Sequence, residues 1–153
     1  MKKSNIRPAL LAGLFATLLA GPAMAQQQSS AGLGNSWPSD TQDVSSNPNY
    51  HAYVWVKSGV KYIQINDASG HVLAAVASSN GQFLVLPMGL DSQYVQTAPA
   101  GSSTPTPPSN SVSVYHDDTV NVTASPQSNG STAVMASSIC NDPVECSTHL
   151  NGH

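Results

Sequence analysis

The stretch Tyr50–Asn66, YHAYVWVKSGVKYIQIN, decides the fold. Tyr53 and Trp55 alternate with Val54 and Val56 on the way out, and Tyr62 alternates with Ile63 and Ile65 on the way back. Period-two alternation of β-branched and aromatic residues around a Ser58-Gly59 pair specifies two antiparallel strands joined by a tight turn. Both faces of that strand pair are apolar, so the pair asks for cover on two sides.

Working outward, the runs His51–Lys57, Val60–Asn66, Val72–Ala77 and Gln82–Pro87 are separated by Ser58-Gly59, Asp67-Ala68-Ser69-Gly70 and Asn80-Gly81. An Asn-Gly pair supplies the two positive φ angles of a type I′ hairpin, and a glycine closing a three-residue loop suits a bulged turn. Residues 50–97 are therefore expected to form an antiparallel meander of about four strands. Turn length sets register. A two-residue first loop places Trp55 opposite Tyr62 and Val54 opposite Ile63. A three-residue second loop pairs Ile65 with Leu73 and Ile63 with Ala75, and the Asn-Gly turn pairs Ala77 with Leu84 and Ala75 with Leu86.

These registers divide the meander into two faces. One carries Ala52, Val54, Val56, Ile63, Ile65, Leu73, Ala75, Ala77, Leu84 and Leu86 and is the expected core. The other carries His51, Tyr53, Trp55, Lys57, Tyr62, Gln64, Val72, Val76, Phe83 and Val85, mixing aromatic with polar groups. Rings with a polar edge suit both protein partners and glycans. Tyr53, Trp55, Tyr62, Gln64 and Phe83 are accordingly the candidate binding residues, unless the second sheet, the arm carrying Trp37 or the proline linker covers them.

Residues 98–110 hold four prolines among small polar residues and read as a semi-extended linker. Beyond it, residues 111–137 contain a hairpin, SVSVYHDDTVNVTA, with Val112 and Val114 answered by Val120 and Val122; Thr132–Ala136 supplies a third run. The mature chain shows no helical period of useful length. The expected class is all-β: a meander plus a C-terminal hairpin, forming a two-layer sandwich or an open barrel. Residues 26–49, rich in turn formers and without hydrophobic period, are expected to be a disordered polar arm in which Trp37 alone could dock.

The first 25 residues have the three parts of an export signal: Lys2, Lys3 and Arg7, an apolar run from Ala9 to Ala20, and the small-residue site Ala23-Met24-Ala25. The run is shorter than the roughly 20 residues that span a bilayer, so no membrane insertion is expected after cleavage. A periplasmic or secreted location follows. Past the signal only Lys57 and Lys61 stand against eight acids, a net charge of −6 with neutral histidines. Counterion release from nucleic acid needs clustered cations, which excludes that partner class.

Cys140 and Cys146, in the tail 138–153, enclose five residues and in an oxidising compartment are expected to pair. The histidines 51, 71, 116, 149 and 153 are scattered without metal-ligand spacing, and the His116-Asp117-Asp118 cluster reads as a hairpin turn, so no metal and no cofactor are expected. Serines are abundant, but none lies in a Gly-x-Ser-x-Gly turn. Tyr62–Val76, YIQINDASGHVLAAV, resembles segments of small exported proteins of Gram-negative bacteria; no activity comes with the likeness. The expected role is noncatalytic: a binding or envelope-associated module whose partner is an envelope protein or a glycan. A self-associating adhesin-like subunit is the alternative, and a small hydrolase is a more distant third.

Overall fold

A computed structural model describes residues 32–139; the stretch expected to be an export signal, the first residues of the arm, and Cys140, Cys146, His149 and His153 with the expected cysteine pairing lie outside the described residues. Eight strands form two four-stranded sheets. Sheet one is the meander β1 (Tyr50–Lys57), β2 (Val60–Asp67), β3 (Val72–Ser79) and β4 (Gln82–Val85), in that spatial order. A short 3-10 turn, Ser92–Tyr94, leads across to sheet two. There β5 (Val95–Ala98), β6 (Val112–His116), β7 (Val120–Pro126) and β8 (Thr132–Ser138) lie in the order β5-β8-β7-β6, with β5 parallel to β8 and the other pairs antiparallel. The sheets stack as a two-layer sandwich and do not close into a barrel. No helix among the described residues is long and apolar enough to cross a membrane.

The core lies between the sheets. Ile63, Ile65, Ala74 and Val76 from sheet one meet Val114, Val122, Ala124, Val134 and Ala136 from sheet two, all essentially without solvent contact. Strand β5, not expected from the sequence, is short and contributes Val95 to the edge of this cluster.

The first and third turns of the meander give the expected registers: Trp55 faces Tyr62, Val54 faces Ile63, and Ala77 faces Leu84. The second hairpin departs from expectation. Its three-residue loop is present, with Asp67 N–H bonded to the His71 carbonyl, and Asn66 faces Val72. A β-bulge then makes Ile65 face Ala74 and Ile63 face Val76, one residue later than turn length alone predicts. The cause is visible on the other side of β3. The carbonyls of the successive residues Val72 and Leu73 are both taken, by the backbone N–H groups of Leu90 and Asp91. A regular strand turns successive carbonyls to opposite sides, so the shared direction costs one residue of register. Gly89 permits this approach: its φ is +98°, and a Cβ there would lie 2.3 Å from the Leu73 carbonyl oxygen.

A one-residue slip exchanges every side chain between faces. Ala74, Val76, Phe83 and Val85 therefore belong to the core side, while Ala75, Ala77, Leu84 and Leu86 belong to the outer side, reversing the expectation for β3 and β4. Leu84, expected in the core, is 65% exposed. Val56, also expected in the core, is 70% exposed.

Two connections cover outer faces. The proline-rich segment joins β5 to β6, the opposite edges of sheet two, and in crossing lays Pro105–Pro108 over Thr123 and Met135, leaving Gln96 beside it exposed. The described part of the polar arm, residues 32–49, has a defined path over sheet one. Asp43 bridges antiparallel to Tyr53 at the β1 edge, and Ser46 N–H bonds to the Val114 carbonyl of β6, so the arm also joins the two sheets along one side.

Candidate functional site

The outer face of sheet one is split between a covered aromatic half and an open apolar half. The covered half lies on β1 and β2. Tyr53, Trp55 and Gln64 point outward from these strands, yet Tyr53 is 4% exposed and Gln64 fully buried. The arm shields them and is held by side-chain amides. Gln64 Oε1 accepts from Gly34 N–H at 2.6 Å, and its Nε2 donates to the Asn35 carbonyl and to Asn66 Oδ1. Asn66 Nδ2 in turn donates to the carbonyls of Ser36 and Gly70. Buried amides must be satisfied, and here the arm's own backbone satisfies them. Nε1 of Trp55 donates to Asp40 at 3.0 Å.

A row of rings continues along the covered half. Trp37 of the arm meets His51 edge-on at 5.0 Å, His51 stacks with Tyr53 at 6.3 Å, and Tyr53 tilts against Trp55 at 6.4 Å. Asp43 closes the row by bonding to His51 Nδ1 and to the backbone N–H of Ala52 and Ser45. Burial alone would raise the Asp43 carboxyl, but these donors outweigh it and hold the group below its ordinary value. The Tyr53 phenol is pushed up by burial and by the Asp43 charge.

The open half lies on β2, β3 and β4. Val60, Tyr62, Ala77, Leu84, Leu86 and Met88 line a groove of about 900 Å³, with Leu33 of the arm as one wall and Lys57 and Gln82 at its margin. This groove is the product of the bulge: with the expected register, Leu84 and Leu86 would face inward. Of the five sequence-expected binding residues, Tyr53, Trp55 and Gln64 thus lie together beneath the arm. Tyr62 lines the open groove. Phe83 packs against the core cluster from the opposite face of β4 and also contributes to the groove lining. Among the groove residues named here, sequence reasoning missed Leu33, Val60, Ala77, Leu84, Leu86 and Met88. No periodic signal marks a bulge, and Leu84 and Leu86 alternate as core residues would.

The densest polar cluster lies elsewhere, at the β6–β7 turn. Asp117 Oδ2 accepts from Lys61 Nζ of β2 and from the Tyr115 hydroxyl, while Oδ1 accepts from Thr119 N–H, the Thr119 hydroxyl and Val120 N–H. Against the effect of burial, these donors hold the Asp117 carboxyl well below the carboxylate range. Burial and the same carboxylate push the Tyr115 phenol well above its own range. A carboxylate whose lone pairs are taken by five donors is a poor nucleophile and a poor base, and the cluster joins the sheets as a clip. Of the sequence-named titratable cluster, Asp117 enters the clip while His116 is exposed. Among the described residues no three His, Cys, Asp or Glu side chains converge as a metal ion would require.

No family model, no curated protein and no solved structure matches this chain.

Proposed function

We propose that this protein is an exported, noncatalytic binding module of the cell envelope, and that its working surface is the open apolar half of sheet one. The observation that carries the reading is the groove itself: about 900 Å³ lined by Val60, Tyr62, Ala77, Leu84, Leu86 and Met88, with Leu84 65% exposed. Exposed apolar surface gathered into a concavity, with few charged groups at its margin, fits an apolar side-chain row from a partner protein. The arm illustrates the mode, because it packs a segment of chain, built of turns and one isolated bridge, across the other half of the same sheet. Export rests on the signal-like first 25 residues, and an oxidising location on the same feature makes the Cys140–Cys146 pairing part of this reading.

A second reading has its own observation. Strand β4 is four residues long and forms one edge of sheet one, whereas the arm bonds along the β1 edge. An exposed edge can accept a strand from another copy of the chain.

The two readings part in one experiment. The mature chain from Gln26, beside its Leu84→Asp form, is used to capture partners from an envelope extract, and its self-association is followed by sedimentation. The binding reading predicts a partner protein that purified material rebinds and that Leu84→Asp loses, with a monomer throughout. A partner captured equally by both forms, or no partner at all, overturns the groove as the working surface. Concentration-dependent oligomers with no partner favour strand addition.

A further inference from the structure

A second concavity lies at the far end of sheet two, and its chemistry differs from that of the groove. Its volume is about 260 Å³, and its walls come from the 3-10 turn and β5 on one side and the β7–β8 turn on the other. Gln93, Tyr94, Gln96, Gln127, Asn129 and Ser131 face it; no charged side chain does. From these residues we propose that the pocket is a binding site for a neutral oligosaccharide.

Both walls are fixed before any ligand arrives. Asp91 is buried and holds the 3-10 turn in place: its N–H bonds to the Leu73 carbonyl, its carbonyl accepts from Tyr94 N–H, and its Oδ2 accepts from Thr132 N–H at 2.8 Å. This anchors Tyr94 between the two sheets while leaving it 37% exposed, the state of a platform. On the facing wall Asn129 Oδ1 accepts from the N–H and hydroxyl of Ser131, and Gln127 and Ser131 bond through their backbones. Preorganised walls matter because ordering loops on binding would cost affinity.

The polar groups left over match hydroxyls. With Oδ1 committed to the turn, Asn129 presents its Nδ2 donors; with Nε2 committed to the Ser125 carbonyl, Gln127 presents its Oε1 acceptor. Gln93 and Gln96 add two exposed amides, each with donor and acceptor. A sugar hydroxyl both gives and takes a hydrogen bond, so amides satisfy it at both ends. The C–H face of a pyranose ring packs on an aromatic face, and the Tyr94 ring is the surface available for it. A phosphate, carboxylate or ammonium ligand would find no counter-charge here, which is why the sugar is neutral. The proposal does not depend on what occupies the groove of sheet one.

The test uses the mature chain with three neutral probes, maltotetraose, cellotetraose and tetra-N-acetylchitotetraose, read by saturation-transfer NMR and by titration of backbone amide shifts. The expected result is binding of at least one tetrasaccharide, with shifts at residues 93–96 and 127–131. Tyr94→Ala weakens that binding tenfold or more, Tyr94→Phe retains it because the ring remains, and Leu84→Asp leaves it unchanged. Gln96→Ala, at an exposed amide, serves as a second lesion should Tyr94→Ala fail to fold, and is expected to weaken binding severalfold. Absence of binding by all three probes overturns the proposal, as does equal binding by native protein, Tyr94→Ala and Gln96→Ala. Loss of binding in Leu84→Asp, with shifts on β3 and β4, would move the sugar to the groove and overturn it too.

Discussion

At the scale of single residues, a half-buried carboxylate and a buried hydroxyl make opposite predictions. Asp117 is held as a carboxylate by Lys61, Tyr115, Thr119 and Val120. Its folded-state value lies below its unfolded one, so its contribution to stability is complete above about pH 4 and is lost as pH falls toward the folded value. Asp43 and Asp67, also held below their ordinary values, act in the same direction. Denaturant unfolding across pH should show stability falling below about pH 4, with Asp117→Asn lowering the neutral-pH value by about 2 kcal/mol and flattening the acid slope. A slope unchanged by the substitution would remove Asp117 from the account. Thr123 is the reverse case. Its hydroxyl oxygen is buried beneath the proline segment with no hydrogen-bond partner among the described residues. Valine has nearly the same shape without the unsatisfied group, so Thr123→Val is expected to raise stability by up to about 1 kcal/mol. A loss of stability on that substitution would show the hydroxyl to be satisfied.

At the scale of elements, the arm and the bulge are the two devices that shape the outer face of sheet one. The arm depends on Gln64, whose amide bonds to Gly34 and Asn35. Gln64→Ala is expected to cost about 2 kcal/mol and to admit solvent to Trp55. In a Trp37→Phe background Trp55 is the sole tryptophan, and its quenching by acrylamide should rise severalfold with the second substitution. The bulge depends on Gly89, where a Cβ would meet Leu73 backbone at 2.3 Å in a left-handed conformation. Gly89→Ala is expected to destabilise by about 3 kcal/mol; a cost under about 1 kcal/mol would mean that the Leu90 and Asp91 pairings are dispensable. The same two devices mark what the sequence left illegible. Turn chemistry made the strands and two of three registers readable, because Ser58-Gly59 and Asn80-Gly81 admit few geometries. The slip at Val72–Leu73 comes from pairing with residues 90 and 91, a tertiary event with no local periodicity. The arm was read as disordered because it lacks apolar rhythm, yet its attachment is through amides and backbone, to which hydrophobic patterning is blind. Tyr53, Trp55, Tyr62 and Gln64 share the outer face, as strand alternation and the first turn imply, and the arm carrying Trp37 was one of the expected covers; that it shields Tyr53, Trp55 and Gln64 but leaves Tyr62 in the groove was not legible in periodicity.

At the scale of the molecule, a small chain with one modest core closes most of its surfaces with its own connections. The proline segment crosses sheet two, the arm crosses half of sheet one, and the Lys61–Asp117 clip and Ser46 tie the layers at their margins. Among the described residues the apolar groove and the amide-lined pocket at Tyr94 stay open, and the two binding proposals rest on them, with the β4 edge carrying the alternative of self-association. The central claim is therefore a division of the outer face of sheet one into a closed aromatic half and an open aliphatic half. The measurement that tests it most directly is solvent paramagnetic relaxation, by a soluble gadolinium chelate, of assigned side-chain protons in the chain from Gln26 onward. The account predicts strong relaxation at the Leu84 methyls, intermediate relaxation at Leu86 and Met88, and little at the rings of Tyr53 and Trp55. Relaxation of the Tyr53 and Trp55 rings as strong as that of Leu84 would contradict it, and would return the aromatic strip to the surface.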